Sequence, residues 1–172
     1  MVANIDAALA VQGLTAADRV LAVLPLFHVG GLCIQVLPAL ACGAAVQLHA
    51  RFEPGAWLRD VAAGSGWGPS TSLLVPAVMQ AILAHPAWPT ADLQSLRFLN
   101  SGSSIVPVAL IEAFHARGVS VAQVYGSTET GPFSIALLPE EALAHVGSVG
   151  RPAPGVRYRL AAGDGTEVPP GE

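Results

Sequence analysis

Five short apolar runs recur along the chain, each set off from the next by a stretch long enough for a helix. They cover residues 19–24, 45–49, 71–75, 96–100 and 120–124. None alternates strictly between apolar and polar, so each reads as a strand buried on both faces, as in a parallel sheet. Helix-length segments lie around and between them at 3–12, 31–41, 54–63, 76–84, 107–117 and 139–144. Pro54 near a start and Gly64 beyond an end follow the usual helix asymmetry, and Pro38 predicts a kink within 31–41. Strand and helix in alternation predict an α/β fold, a three-layer unit around a mostly parallel sheet. The character changes at Gly147. Residues 1–146 read as one α/β subdomain and 147–172 as the start of a following β-rich one, with an exposed strand at 156–162.

Composition removes several function classes. All eight basic residues are arginine, so lysine-dependent chemistry is closed to these 172 residues. A net charge of -4 gives no basic field for nucleic acid. The apolar stretch 29–46 has Gln35 as its one strongly polar side chain, but Gly30, Gly31, Pro38 and Gly43 interrupt it, so no membrane span is expected. Cys33 and Cys42 sit in that stretch as apolar thiols, which fits a reducing, cytoplasmic location. With His28 and His49 they lack zinc spacing. Gly64-Ser65-Gly66-Trp67-Gly68 precedes a strand, the wrong order for a dinucleotide turn.

The segment Tyr125-Gly126-Ser127-Thr128-Glu129-Thr130-Gly131 directly follows a predicted strand. A strand opening into a glycine-containing loop is where α/β folds place ligands. Hydroxyls of Ser127 and Thr128 can donate to phosphate oxygens, Glu129 can hold Mg²⁺, and Tyr125 offers a face for a base. An ordinary polar turn would carry the same residues.

VYGSTETGP resembles the core motif of the adenylate-forming superfamily, which includes acyl-CoA synthetases, adenylation domains and luciferases. Further segments are similar in the same order: LAVLPLFHVGGL, GAAVQLHARFEPGAWL, LRFLNSGSSIVP and GSVGRPAPGVRYRL. The resemblance covers nearly the whole chain. It implies one subdomain of the large N-terminal domain of an acyl-CoA synthetase of the fatty-acid–CoA ligase type. Such an enzyme activates a carboxylic acid with ATP and Mg²⁺ and passes the acyl group to coenzyme A. By this resemblance Thr128 binds a phosphate of ATP or AMP, and Glu129 coordinates Mg²⁺. Tyr125, with Gly126 and Ser127 beside it, packs on adenine. Ser101, Gly102 and Ser103 form part of the adenine pocket, although Ser101-Gly102-Ser103-Ser104 stands where relatives often have Gly-Gly-Ala-Pro. His28 stands near the carboxylate and acyl channel, beside Val29 and Gly30.

The resemblance also implies parts beyond this chain. A phosphate loop with its lysine would precede residue 1, and a ribose-binding aspartate and a lysine-bearing domain would follow Glu172. The chain is then expected to be a central fragment, inactive alone and self-associating through apolar surface or a sheet edge. Two alternatives remain at this level: a non-catalytic adenylate- or acyl-binding module, or an adenylation domain serving a carrier protein.

Overall fold

A computed structural model describes residues 1–169 apart from 63 and 65. One seven-stranded sheet organises them, in the order β2-β1-β3-β4-β5-β6-β7. Its strands are β1 (Arg19–Ala22), β2 (Ala45–Leu48), β3 (Thr71–Leu74), β4 (Phe98–Gly102), β5 (Ser120–Ser127), β6 (Gly131–Ala136) and β7 (Arg151–Pro152). The first five pair in parallel, and β6 and β7 add antiparallel at one edge. All five predicted strands form, with ends shifted by a few residues.

Helices cover both faces. On one side α4 (Pro54–Val61), α5 (Pro76–Leu83) and α6 (Val108–His115) pack on Leu21, Leu74, Leu99 and Val121. Trp57 and Phe114 meet edge to face there at 6.5 Å, both fully buried. Burial of side chains this size contributes about 2–3 kcal/mol each. On the other side α1 (Val2–Gln12) brings Ala7 and Ala8 against Leu73, Val124 and Phe133. The odd and even positions of each central strand thus face two different cores, which explains why the strands read as unbroken apolar runs. The predicted end of α4 at Ala63 lies outside the described residues.

Residues 29–41 form one helical run in three pieces: α2 (Val29–Gly31), a π-helical segment (Leu32–Val36) and α3 (Leu37–Ala41). Where a kink is expected at Pro38, the run passes from π-helical to α-helical just before the proline. An α turn would have the Pro38 nitrogen bond the Ile34 carbonyl, and a π turn the Cys33 carbonyl. Proline has no N–H for either. Side chains of α1 supply the missing donors: Asn4 Nδ2 to Cys33 O at 2.8 Å and Gln12 Nε2 to Ile34 O at 2.7 Å. Asn4 Oδ1 also accepts from the Phe133 amide at 3.1 Å, which ties α1 to β6.

Three local expectations change. Tyr125, Gly126 and Ser127 extend β5 instead of opening a loop, because β6 returns antiparallel beside them through a turn at 128–130. Gly126 permits this approach, since a Cβ there would lie 2.4 Å from Gly131 O. The helix expected at 139–144 is a single 3₁₀ turn, Pro139–Glu141. The strand expected at 156–162 does not form, because the neighbour of β6 is Arg151–Pro152 and the turn at Pro154–Gly155 carries the chain away. Among the described residues of this tail an isolated bridge, Ala161 to Glu167, is the ladder contact that remains, and residues 170–172 lie outside the description. Among the described residues no helix is long and apolar enough to cross a membrane.

Candidate functional site

Parallel strands deliver their following loops to one edge of a sheet. Here β1 leads into Pro25–His28, β3 into Val75 and β4 into Ser103–Pro107, while β5 runs on to the 128–130 turn. The ends of β4 and β5 are unusually close. Gly102 pairs with Val124, and a Cβ at Gly102 would sit 2.1 Å from Val124 O. The next residue, Ser103, has φ 72°, the single non-glycine residue at positive φ among those described. Such a conformation costs a residue with a Cβ about 1–2 kcal/mol.

Ser103 lines three adjoining cavities. One, of about 250 Å³, is apolar and lies between the helical run and the sheet, bounded by Leu24, Pro25, Gly31, Ile34 and Leu73. A second, of about 230 Å³, carries His28, Gly126, Ser127, Thr128 and Glu129. The third, of about 390 Å³, has Tyr125, Gln123, Ser104 and Gly147 on its walls. The arrangement is a continuous series: an apolar compartment, a polar mouth with one carboxylate, and an aromatic-walled slot.

His28 caps the N-terminus of α2, its Nδ1 accepting from the Gly30 amide at 3.0 Å. In the neutral ring that bond fixes the proton on Nε2, which leaves Nε2–H to donate elsewhere. Ser127 and Thr130 brace the hairpin turn, with the Ser127 amide donating to Thr130 Oγ1 at 3.1 Å. Thr128 is exposed, and its hydroxyl has no partner among the described residues. Glu129 is exposed, and its own amide and the Ser127 hydroxyl hold its carboxyl below the usual range despite a small opposing effect of burial. It is therefore a carboxylate at neutral pH. Tyr125 is 58% exposed and lines the third cavity.

Of the residues singled out from the sequence, His28, Gly102, Ser103, Tyr125, Gly126, Ser127, Thr128 and Glu129 gather along this groove. Ser101 does not line it. Its side chain is fully buried, with Oγ 3.2 Å from Met79 Sδ on the far face of the sheet. Sequence reasoning passed over Gln123, Ile34 and Leu73. Gln123 carried a signal, an amide inside the apolar run SVAQV. It is 5% exposed, and its Nε2 donates to Ser148 O at 2.9 Å, which pins the 147–149 wall of the slot.

Among the described residues no three His, Cys, Asp or Glu side chains gather as a metal cage. One exposed, ionised carboxylate beside two hydroxyls fits a different case, a Mg²⁺ that keeps most of its oxygens from water and phosphate.

The chain matches the family model for AMP-binding enzymes over residues 1–172. It is 45% identical over 158 residues to an indoleacetate–CoA ligase of Aromatoleum aromaticum, an alignment covering 92% of this chain and 30% of that protein. A feruloyl-CoA synthase of an Amycolatopsis species is 40% identical over 157 residues, covering 90% and 31%. The crystal structure of the anthranilate CoA ligase AuaEII in complex with anthranoyl-AMP superposes with a TM-score of 0.86 at 27% identity, covering 99% of this chain and 33% of that one. The chain thus spans about a third of the length of these relatives.

Proposed function

From the premise that this chain belongs to the AMP-binding enzyme family, we propose that it forms the substrate-binding centre of an acyl-CoA synthetase. The reaction is activation of a compact carboxylic acid by ATP and Mg²⁺ to an acyl-adenylate, followed by thioester formation with coenzyme A. The observation that carries the reading is the meeting of three chemically different cavities at Ser103. An acyl-adenylate has the same order of parts: an apolar acyl group, a charged phosphate and an aromatic base.

Each side chain then has a task. The apolar compartment takes the acyl group and excludes water from it. His28 Nε2–H, at the boundary of the apolar and polar cavities, donates to a carboxylate oxygen of the acid. The unpaired Thr128 hydroxyl donates to a phosphate oxygen. Glu129 would hold Mg²⁺, whose charge offsets the negative charge of the phosphates. The exposed face of Tyr125 stacks on adenine, with Gly102, Ser103 and Gly126 beside it on the cavity walls. The names of the relatives, indoleacetate, feruloyl and anthranilate ligases, support an aryl acid as substrate.

No lysine is present to stabilise the phosphoryl centre, so these 172 residues alone are expected to bind and not to turn over. Phe27 and Ile105, each 93% exposed beside the groove, are surface of the kind that drives self-association of such a chain. The test is pyrophosphate release by the protein of the complete reading frame with ATP, Mg²⁺ and aryl acids. Acid-dependent release and a CoA thioester product are expected, with Thr128→Ala and Glu129→Gln each losing about 10²-fold or more. Acid-independent release, or full activity in both variants, would refute the reading.

A further inference from the structure

The acyl compartment is walled by apolar groups, but one turn deeper in the same helical run stands a buried amide. Gln35 is 2% exposed. Its Nε2 donates to Thr71 Oγ1 and to Asn100 Oδ1, both at 2.9 Å, and Asn100 Nδ2 donates onward to Ala122 O at 3.3 Å. The other end of the amide is unused: Oε1 has no hydrogen-bond partner among the described residues. A buried acceptor without a donor carries its whole desolvation penalty.

Gln12 also leaves its Oε1 unpartnered, but it lines none of the cavities named above. Gln35 differs, because it lines a void of about 10 Å³. That is room for one water-sized atom. Leu24, Gly31 and Leu73 border this void and also border the acyl compartment, so the two share a wall. Gly31 contributes no side chain to that wall and can carry none, since a Cβ would lie 2.3 Å from Pro25 O. The side chains common to both linings are those of Leu24 and Leu73, and a donor that reaches Gln35 must displace them.

We propose that Gln35 Oε1 reads the far end of the acyl group. The substrate is an aryl carboxylic acid whose ring carries a hydroxyl or N–H donor. That donor occupies the void behind Leu24 and Leu73 and bonds Gln35 Oε1. Thr71 and Asn100 hold the amide by its nitrogen, so the oxygen stays turned away from them and selects donors over acceptors. This assignment rests on the reading of the apolar cavity as the acyl compartment.

The test uses the protein of the complete reading frame and acyl-sulfamoyl-adenosine mimics of the adenylate, with binding measured calorimetrically. Mimics of 3- and 4-hydroxyphenylpropionic acid are each compared with the 3- and 4-fluoro analogue, which has similar size and no donor. One hydroxyl isomer is expected to bind about tenfold more tightly than its fluoro partner. In Gln35→Met that preference should fall to about twofold or less. Equal binding of every pair overturns the role of Gln35 and leaves the adenylate-binding reading standing. No binding by any mimic overturns both. Should Gln35→Met fail to fold, since Thr71 and Asn100 lose their donor, the pairs measured on the unaltered chain still decide.

Discussion

Replacing Gly102 by alanine probes the junction of β4 and β5 on which the groove depends. The added Cβ would stand 2.1 Å from Val124 O, whereas ordinary van der Waals contact begins at 3.4 Å. The strands must part by about 1.3 Å at their ends, and Val124 O is backbone, so no rotamer change relieves the clash. A shift of that size breaks the last ladder hydrogen bonds around Ser101–Gln123 and Gly102–Val124. Two net hydrogen bonds at about 1 kcal/mol each, with overpacking of about 1 kcal/mol, give a loss of about 3 kcal/mol. For a chain of this length that is a fall in Tm of about 6–12 °C. Urea denaturation should show a lower midpoint at unchanged slope. Gly163→Ala is the control: Gly163 has open space around its Cβ position, so the change should stay within about 0.5 kcal/mol. If Gly102→Ala is as stable as Gly163→Ala, the close approach of β4 and β5 is not what shapes the site.

Two further outcomes follow from buried polar groups. Asp18 is 5% exposed; burial pushes its carboxyl up, but hydrogen bonds from Ser70, Thr15 and Arg97 outweigh this and hold it below the ordinary aspartate value of 3.8. The stability it contributes is complete above that unfolded value and is lost as pH falls through the lower folded one. Asp18→Asn should therefore cost about 2 kcal/mol at neutral pH, half-exposed Arg97 adding little, and should flatten the acid limb of a stability–pH profile; an unchanged limb would exclude Asp18 as its source. Gln12→Leu should cost about 1–2 kcal/mol in chemical denaturation, because it strands the Ile34 carbonyl that Pro38 cannot serve, and a neutral result would refute that account of the π-helical segment.

Much of the fold is legible in the sequence. The five parallel strands were legible because burial on two faces demands unbroken apolar runs, and the helices because proline and glycine mark their ends. The groove was legible in part, since glycine, hydroxyl and carboxylate side chains cluster at Tyr125–Gly131 and at Ser101–Ser104. What sequence periodicity could not decide was set by pairing across the chain. Tyr125 to Ser127 look like a loop until β6 returns beside them, and the sixth strand has no strong pattern of its own. Ser101 belongs by sequence with Gly102 and Ser103, but strand alternation turns its side chain to the opposite face, onto Met79. The π-helical segment needs Pro38 and also Asn4 and Gln12, which lie 29 and 22 residues before the carbonyls they bond, to satisfy what proline leaves. Local sequence determined which backbone conformations were cheap. The tertiary structure decided which face each residue presents and which buried polar atoms find partners, because both depend on contacts between segments far apart in the chain.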